Sequence, residues 1–414
     1  NHLDFARNSF ELCPTNTACL ECYSSFVAKI ISVSAVQIAD SRGKPTIEVH
    51  LALATALGTD DVPDGASVGV HEDKALSAEA AVAAVNGEIA TALVGKEFDQ
   101  KSLDEFLIQL DGTPDKSRLG ANAILGVSIA FARAAAAEQK IEPYRYLGGL
   151  AGTTVFALPT PMFNVLNGGK HAKHGIGVQE CMLVPVGIRT MRGQVDAAVA
   201  CVAALKLLLE QGGYSTEMGD EGGFAPALAS NDEALDLLVS ATAAAGYSTE
   251  QIKIALDVAA SSMSHFDKEA MLAWYKIIAD KYPLVSIEDP FTEDDFAGFT
   301  ALRVAVGERM LIVGDDLTVT NTGRITLAEQ AGAINAVIIK PNQVGTVTET
   351  IAAVAAAHAQ GWRGIASHRS GETMDPFIAD VAVGLGCEYI KAGAPTKPER
   401  MAKYTRLIEI ESQL

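Results

Sequence analysis

Three carboxylates stand at the ends of apolar, β-branched runs: Asp257 closes I252-K-I-A-L-D257, Glu288 closes L284-V-S-I-E288 and Asp315 closes L311-I-V-G-D315. Any one of them reads as a cap for the helix that follows, since aspartate is common at a strand-to-helix turn. Three in series carry a different message. If the runs are neighbouring strands, their carboxylates converge and repel one another unless a cation lies among them, and an all-oxygen set without Cys or His suits Mg²⁺ better than zinc. The series continues with A336-V-I-I-K340, G364-I-A-S-H368 and E388-Y-I-K391. A lysine at such a strand end is either an ion-pair partner for the carboxylates or a base, because a cation-rich neighbourhood lowers an amine's pKa and frees its lone pair. The run S367-H-R-S370 sets His368, Arg369 and Ser370 side by side, a group suited to holding an anion through charge-assisted hydrogen bonds.

These run ends lie about 23 to 31 residues apart, the length of one strand, one helix and two loops. Repeated βα units imply parallel strands. Functional groups at the ends of six consecutive strands favour a closed α/β barrel, whose active sites assemble at the C-terminal rim, over a doubly wound sheet, whose ligands gather at one switch point. No G-x-G-x-x-G fingerprint follows a strand, and no G-x-x-x-x-G-K-[ST] phosphate loop occurs. Ahead of the barrel, I30–A39 and I47–L53 alternate as strands about the turn D40-S-R-G-K-P-T46, and helical patterning follows at Ala75–Ala90, Leu103–Leu110 and Ala121–Gln139. The expected organisation is an N-terminal extension over 1–26, a small α+β cap domain over 27–155, and an α/β barrel catalytic domain over 156–414, opening at F156-A-L-P-T-P-M162.

The chain of 414 residues is 49% hydrophobic and 20% charged, with a formal net charge of −19. That composition suits a globular enzyme, and its field repels nucleic acid and anionic lipid, so neither is an expected partner. A phosphate substrate must be met by metal or by a few placed cations. No apolar run reaches the roughly 20 residues that a membrane helix needs. Cys181, Cys201 and Cys387 lie in apolar stretches as expected buried thiols, which points to a reducing cytoplasm. Cys13, Cys19 and Cys22 have only His2 nearby to complete a zinc set, and residues 1–26 carry neither a secretory nor a transit pattern, so they read as a dispensable extension.

The runs N167-G-G-K-H-A172, Q179-E180, G219-D-E-G-G-F-A225, A255-L-D-V-A-A-S261, S286-I-E-D-P-F291, V313-G-D-D-L-T-V-T-N321, S367-H-R-S-G-E-T373 and K391-A-G-A394 closely resemble the enolase family, as do S41-R-G-K-P-T46 and L119-G-A-N-A-I-L-G126 ahead of them. The resemblance runs from about Ile30 to the end. It implies a hydro-lyase, phosphopyruvate hydratase, that dehydrates 2-phosphoglycerate to phosphoenolpyruvate in glycolysis and gluconeogenesis, with two Mg²⁺ per site, in a cytoplasmic homodimer. Residue by residue, it makes Asp257, Glu288 and Asp315 ligands of the first Mg²⁺ and Ser67, in V62-P-D-G-A-S-V-G69, a ligand of the second. Lys340 becomes the base at C2 and Glu221 the acid that assists loss of the C3 hydroxyl, its carboxyl exposed by the turn G219-D-E-G-G223. Lys391 would contact the substrate carboxylate, Arg369 and Ser370 would hold the phosphate, and His171, Glu180 and His368 would support the reaction and the substrate. Several positions depart from the family pattern, among them Asp64, Val68, Pro341 and the stretch Thr396–Pro398. An added carboxylate at Asp64 could weaken phosphate binding, which keeps open an enolase-like paralogue acting on a related phosphate or phosphonate, such as a carboxyphosphonoenolpyruvate synthase. A non-catalytic binding protein is the third reading, which the complete acid, base and metal set argues against.

Overall fold

The computed structural model describes residues 26–65, 69–169, 176–263 and 265–414. In the cap, β1 (Ser32–Ala39), β2 (Pro45–Ala52) and β3 (Leu57–Val62) form an antiparallel sheet in which Val36 pairs with Glu48 and Val49 with Asp60. Alternation buries Val33, Ala35, Ile47, Val49 and Leu51 on one face. The turn between β1 and β2 is closed by Asp40, whose Oδ1 accepts the N–H groups of Arg42 at 2.8 Å and Lys44 at 2.9 Å. Helical structure starts later than the apolar pattern suggests, at α1 (Ala78–Ala84), because the Ser77 side chain accepts the Ala80 N–H and caps it there. α2 (Gln100–Asp111) begins at an Asp99–Ser102 capping box, and α3 (Ala121–Glu138) lies against the sheet with most of its residues buried. Their approach is close: a Cβ added at Gly58 would stand 1.9 Å from the Ala130 carbonyl oxygen, so only glycine is accommodated there.

The barrel is closed and its eight strands neighbour one another in chain order: β4 (Thr160–Asn167), β5 (Glu180–Val184), β6 (Lys253–Asp257), β7 (Leu284–Glu288), β8 (Leu311–Gly314), β9 (Ala336–Ile339), β10 (Arg363–Ser367) and β11 (Tyr389–Lys391). The last six are the runs read from the sequence. The first two were not legible in that pattern, and β5 corrects the expectation of parallel strands, since it pairs antiparallel with both β4 and β6. Too few residues separate β4 from β5 for a helical crossover, so the chain turns back directly. That reversal places the first residue of β5, Glu180, at the rim where the parallel strands end, and it is paired with Asp257, itself paired with Glu288. Inside the barrel, Met162, Met182, Val184, Ala255, Val313, Ala336, Ile338 and Ile365 form a small apolar plug beneath that rim. A much larger core fills the layer between strands and surrounding helices and runs on into the cap. Cys181, Cys201 and Cys387 are buried free thiols in it, and burial pushes Cys181 and Cys387 up to about 12. Among the described residues no helix is long and apolar enough to cross a membrane.

Cap and barrel are fastened by buried polar groups. Asp104 on α2 is fully buried and accepts hydrogen bonds from the Ser128 hydroxyl at 2.6 Å and from the Thr348 N–H and hydroxyl at 2.9 and 2.6 Å. Thr348 lies in the first turn of a barrel helix, Val347–Ala359, so a cap carboxylate serves the exposed N–H groups of that helix. Lys116 adds a second tie, pairing with Asp73 at 2.6 Å and Glu349 at 3.0 Å. Replacing Asp104 with Ala leaves several buried donors without a partner, and urea denaturation should show a loss of about 3 kcal/mol, with Asp104→Asn recovering part of it.

Candidate active site

The charged strand ends meet in one cavity of about 50 Å³ at the rim, lined among others by Glu180, Glu221, Asp257, Asp315, Lys340, His368, Arg369, Ser370 and Lys391. Lys391 ends β11 with a side chain only 3% exposed, and its ammonium is surrounded by carboxylates: Asp257 Oδ2 and Glu288 Oε1 at 2.9 Å and Glu180 Oε2 at 3.1 Å. The Lys340 ammonium, one βα unit after Asp315, is hydrogen-bonded to the Asp315 carboxylate. Gln343 Nε2 donates to the other oxygen of Asp315 at 2.9 Å, and Thr320 donates in turn to Gln343 at 2.7 Å. Both lysines are therefore ion-paired, and their pKa shifts are upward: burial works against the charged form, but Asp257, Glu180 and Glu288 outweigh it at Lys391, and Asp315 outweighs it at Lys340. This corrects the expectation of a lowered lysine pKa. A neutral amine at Lys340 requires the charge of Asp315 to be balanced by something else.

The carboxylates carry the complementary strain. Burial and repulsion from Asp257 push Glu288 up to about 8 despite Lys391, and burial with the charge of Glu221 pushes Glu180 well above the usual range. Asp315 alone of the set is held low, where Lys340 and Lys391 overcome its burial. A donor set of oxygens that already encloses one cation and remains short of positive charge fits a hard divalent ion. A second acidic group lies beside it: Asp289, Asp315 and Asp316 have carboxylate oxygens within 4.8 Å of one another. Asp289, however, spends its two oxygens on the N–H groups of Asp315 at 2.9 Å and Asp316 at 2.8 Å, an assignment that shapes the turn after β8 and leaves it poorly placed as a ligand. The strand-end set Asp257, Glu288 and Asp315 is the better candidate for the metal, with Asp316, pushed up to about 7 by burial and Asp315, at its edge.

Across the cavity the Glu221 carboxyl is buried at 3% exposure, which corrects the expectation that its turn would leave it open. Asn164 on β4 donates to its Oε2 at 2.9 Å, and His368 Nε2 stands 3.4 Å from the same oxygen. Burial, reinforced by the neighbouring cation Arg400 and opposed by Glu221, drives His368 down to about 4, so its ring is neutral near pH 7. Arg400 is fully buried and fixes the rim loop by donating to the Arg369 carbonyl at 2.8 Å and the Ser370 carbonyl at 2.7 Å. From the cap, Arg42 reaches Ser370 Oγ at 3.4 Å, and residues Asp64 and Gly371 exchange backbone hydrogen bonds. Asp64 itself is half exposed and turns its carboxylate toward Arg42 at 3.5 Å; it lines a neighbouring surface groove and not the site cavity. Ser67 and His171 lie outside the described residues, as do Val68, His2, Cys13, Cys19 and Cys22.

Several site residues were not singled out from the sequence. Gln179, beside Glu180, lines the cavity and brings Nε2 to 3.4 Å from Asp257 Oδ2. Glu72, from the cap, lines it too and pairs with Arg369. Asn164, Gln343 and Arg400 are polar residues inside otherwise apolar patterns, which is the one signal that could have marked them.

The chain matches two family models: "Enolase, N-terminal domain" over residues 30–147 and "Enolase, C-terminal TIM barrel domain" over residues 155–270 and 262–414. It is similar over nearly its whole length to proteins named enolase. That of Anaplasma phagocytophilum is 46% identical over 95% of this chain and 96% of its own length, and that of Tropheryma whipplei is 46% identical over 93% and 95%. That of Mycobacteroides abscessus is 47% identical over 92% of this chain and 94% of its own. A three-stranded cap, an eight-stranded barrel with one reversed strand, and acids and lysines gathered at its rim agree with these matches, and the chain belongs to the enolase family.

Proposed function

We propose that Lys340 and Glu221 are the base and the acid with which this hydro-lyase, a phosphopyruvate hydratase, dehydrates 2-phosphoglycerate to phosphoenolpyruvate. The observation that carries this assignment is their placement: they line one buried cavity from different elements, Lys340 after β9 and Glu221 on the turn packed against β4, so they can serve two adjacent carbons from different sides. The C2 proton lies beside a carboxylate that is already anionic, so its removal adds negative charge to a negative group and needs preplaced cations. Lys391 is one such cation, standing at the carboxylate end of the cavity. Mg²⁺ held by Asp257, Glu288 and Asp315, with a second ion toward Ser67, would supply the remaining charge compensation for the substrate carboxylate and would balance the acids that now hold both lysines protonated.

The proton taken from C2 goes to Lys340 Nζ. The C3–O bond then breaks, Glu221 passes its proton to the departing hydroxide to release water, and the electron pair from C2 forms the C2–C3 double bond. Arg369 and Ser370 hold the phosphate, with the loop that bears them braced from below by Arg400 and from the cap by Arg42. Neutral His368 accepts from Arg400 on one ring nitrogen and faces Glu221 with the other, an arrangement suited to positioning the acid; Glu180 and His171 support the same end of the substrate. A cytoplasmic homodimer belongs to the same reading and rests on family membership. Nothing favours the phosphonate-processing alternative: Asp64, the residue that kept it open, is paired with Arg42 outside the cavity.

Two outcomes test this assignment. Lys340→Ala should lower turnover by about 10²–10⁴ and abolish exchange of the C2 proton of 2-phosphoglycerate with deuterated water, whereas Glu221→Gln should lose dehydration by a similar factor yet keep the exchange. Exchange at the native rate in Lys340→Ala would remove it as the base. Mg²⁺ should also stabilise the folded chain by about 2.7 kcal/mol at a concentration about 100 times its Kd, read as a rise in melting temperature, and Glu288→Gln or Asp315→Asn should lose most of that rise.

A further inference from the structure

The Arg369 guanidinium is buried, and the group that neutralises it comes from the cap and not from the barrel. Glu72, whose side chain is as buried as that of Arg369 at 5% exposure, sets Oε2 2.9 Å from Nη1 and Oε1 3.4 Å from Nη2. Glu72 is itself held by the cap backbone, for the Gly69 N–H donates to its Oε1 at 2.8 Å. Asn342 Oδ1 accepts from Nη1 at 3.1 Å. On the other side, a Cβ added at Gly65 would stand 2.1 Å from Nη2, so the cap backbone passes against the guanidinium at a distance only glycine allows.

A guanidinium presents its N–H groups as planar forks that fit a carboxylate or a phosphate equally well. One fork of Arg369 is filled by Glu72. A phosphate dianion arriving at the same fork would meet a buried carboxylate beside the cation it needs, and two anions cannot share one buried cation without a large penalty. We propose that Glu72 is an internal stand-in for the substrate phosphate: its carboxylate occupies the Arg369 fork in the empty site and gives it up when phosphate binds. This rests on the assignment of Arg369 to the substrate phosphate. Because the next residue, Asp73, donates its N–H to the Gln343 carbonyl at 3.0 Å and pairs with Lys116 at 2.6 Å, release of Glu72 is communicated to the cap segment that packs over Lys340 and Asp315.

Calorimetric titration of inorganic phosphate into the full chain in Mg²⁺ buffer tests the exchange. Glu72→Gln keeps the side-chain shape and removes the competing charge, so the Kd for phosphate should fall about tenfold. Its melting temperature without phosphate should drop, because a buried guanidinium has lost its partner, while the rise on adding phosphate should exceed that of the parent protein. Glu72→Asp, which keeps the charge but reaches the fork less well, should tighten binding by a smaller factor and serves if Glu72→Gln does not fold. An unchanged or raised Kd in a folded variant overturns the proposal. Arg369→Gln separates the two layers: it should abolish phosphate binding in both backgrounds, and binding that survives it would overturn the placement of the phosphate at Arg369 and the Glu72 proposal with it.

Discussion

A single ammonium among three buried carboxylates organises this molecule. Lys391 stands within 3.1 Å of Glu180, Asp257 and Glu288, each drawn from a different strand, and none of the four reaches water enough to be stable alone. Acids so close together exist in a folded protein only if the barrel that forces them together is more stable than their repulsion, and only if positive charge is supplied. The barrel meets the first condition with an apolar plug directly beneath the rim and a continuous core outside the strands. Lys391 and Lys340 meet part of the second. The upward shift of Glu288 to about 8 marks the part they leave unmet, and that remaining deficit is what makes the rim a place for divalent cations and for a substrate that becomes more anionic as it reacts.

The cap completes the site where the barrel has no residues to offer. The barrel contributes Arg369 and Ser370 from the loop after β10, but the groups that surround them, Arg42, Gly65 and Glu72, all precede the barrel in sequence. Placement of those cap residues depends on the fastening at a distance from the site, above all Asp104 with Ser128 and Thr348 and Lys116 with Asp73 and Glu349. A change in how the cap sits is thus a change in how the phosphate end of the cavity is lined.

Much of this was readable from the chain. Strand ends bearing Asp257, Glu288, Asp315, Lys340, His368 and Lys391 recur at βα spacing, and a barrel turns that spacing into proximity without further information, which is why the rim could be named residue by residue. β5 was missed because it belongs to no βα unit; its reversal depends on a short connection and leaves only a brief apolar run. Glu72 was missed for a related reason: its partner Arg369 is nearly 300 positions away, and no local pattern marks a contact between two domains. The protonation of the lysines was misjudged because a spacing argument counts the cations expected at a site and cannot weigh the carboxylates that arrive with them. Glu221 was expected to be exposed because glycines flank it, yet those glycines let the turn pack tightly: a Cβ added at Gly223 would stand 2.9 Å from the Val165 carbonyl carbon.

The central claim is that the strand-end carboxylates, rather than the adjoining aspartates, form the cation site that Lys391 now fills in part. A crystal structure of the full chain grown with Mn²⁺, located by its anomalous scattering, tests it most directly. The account predicts an ion bound by Asp257, Glu288 and Asp315, with the Lys391 ammonium drawn back from Asp257 and Glu288. An ion held instead by Asp289, Asp315 and Asp316, with Lys391 still seated among its three carboxylates, would contradict it.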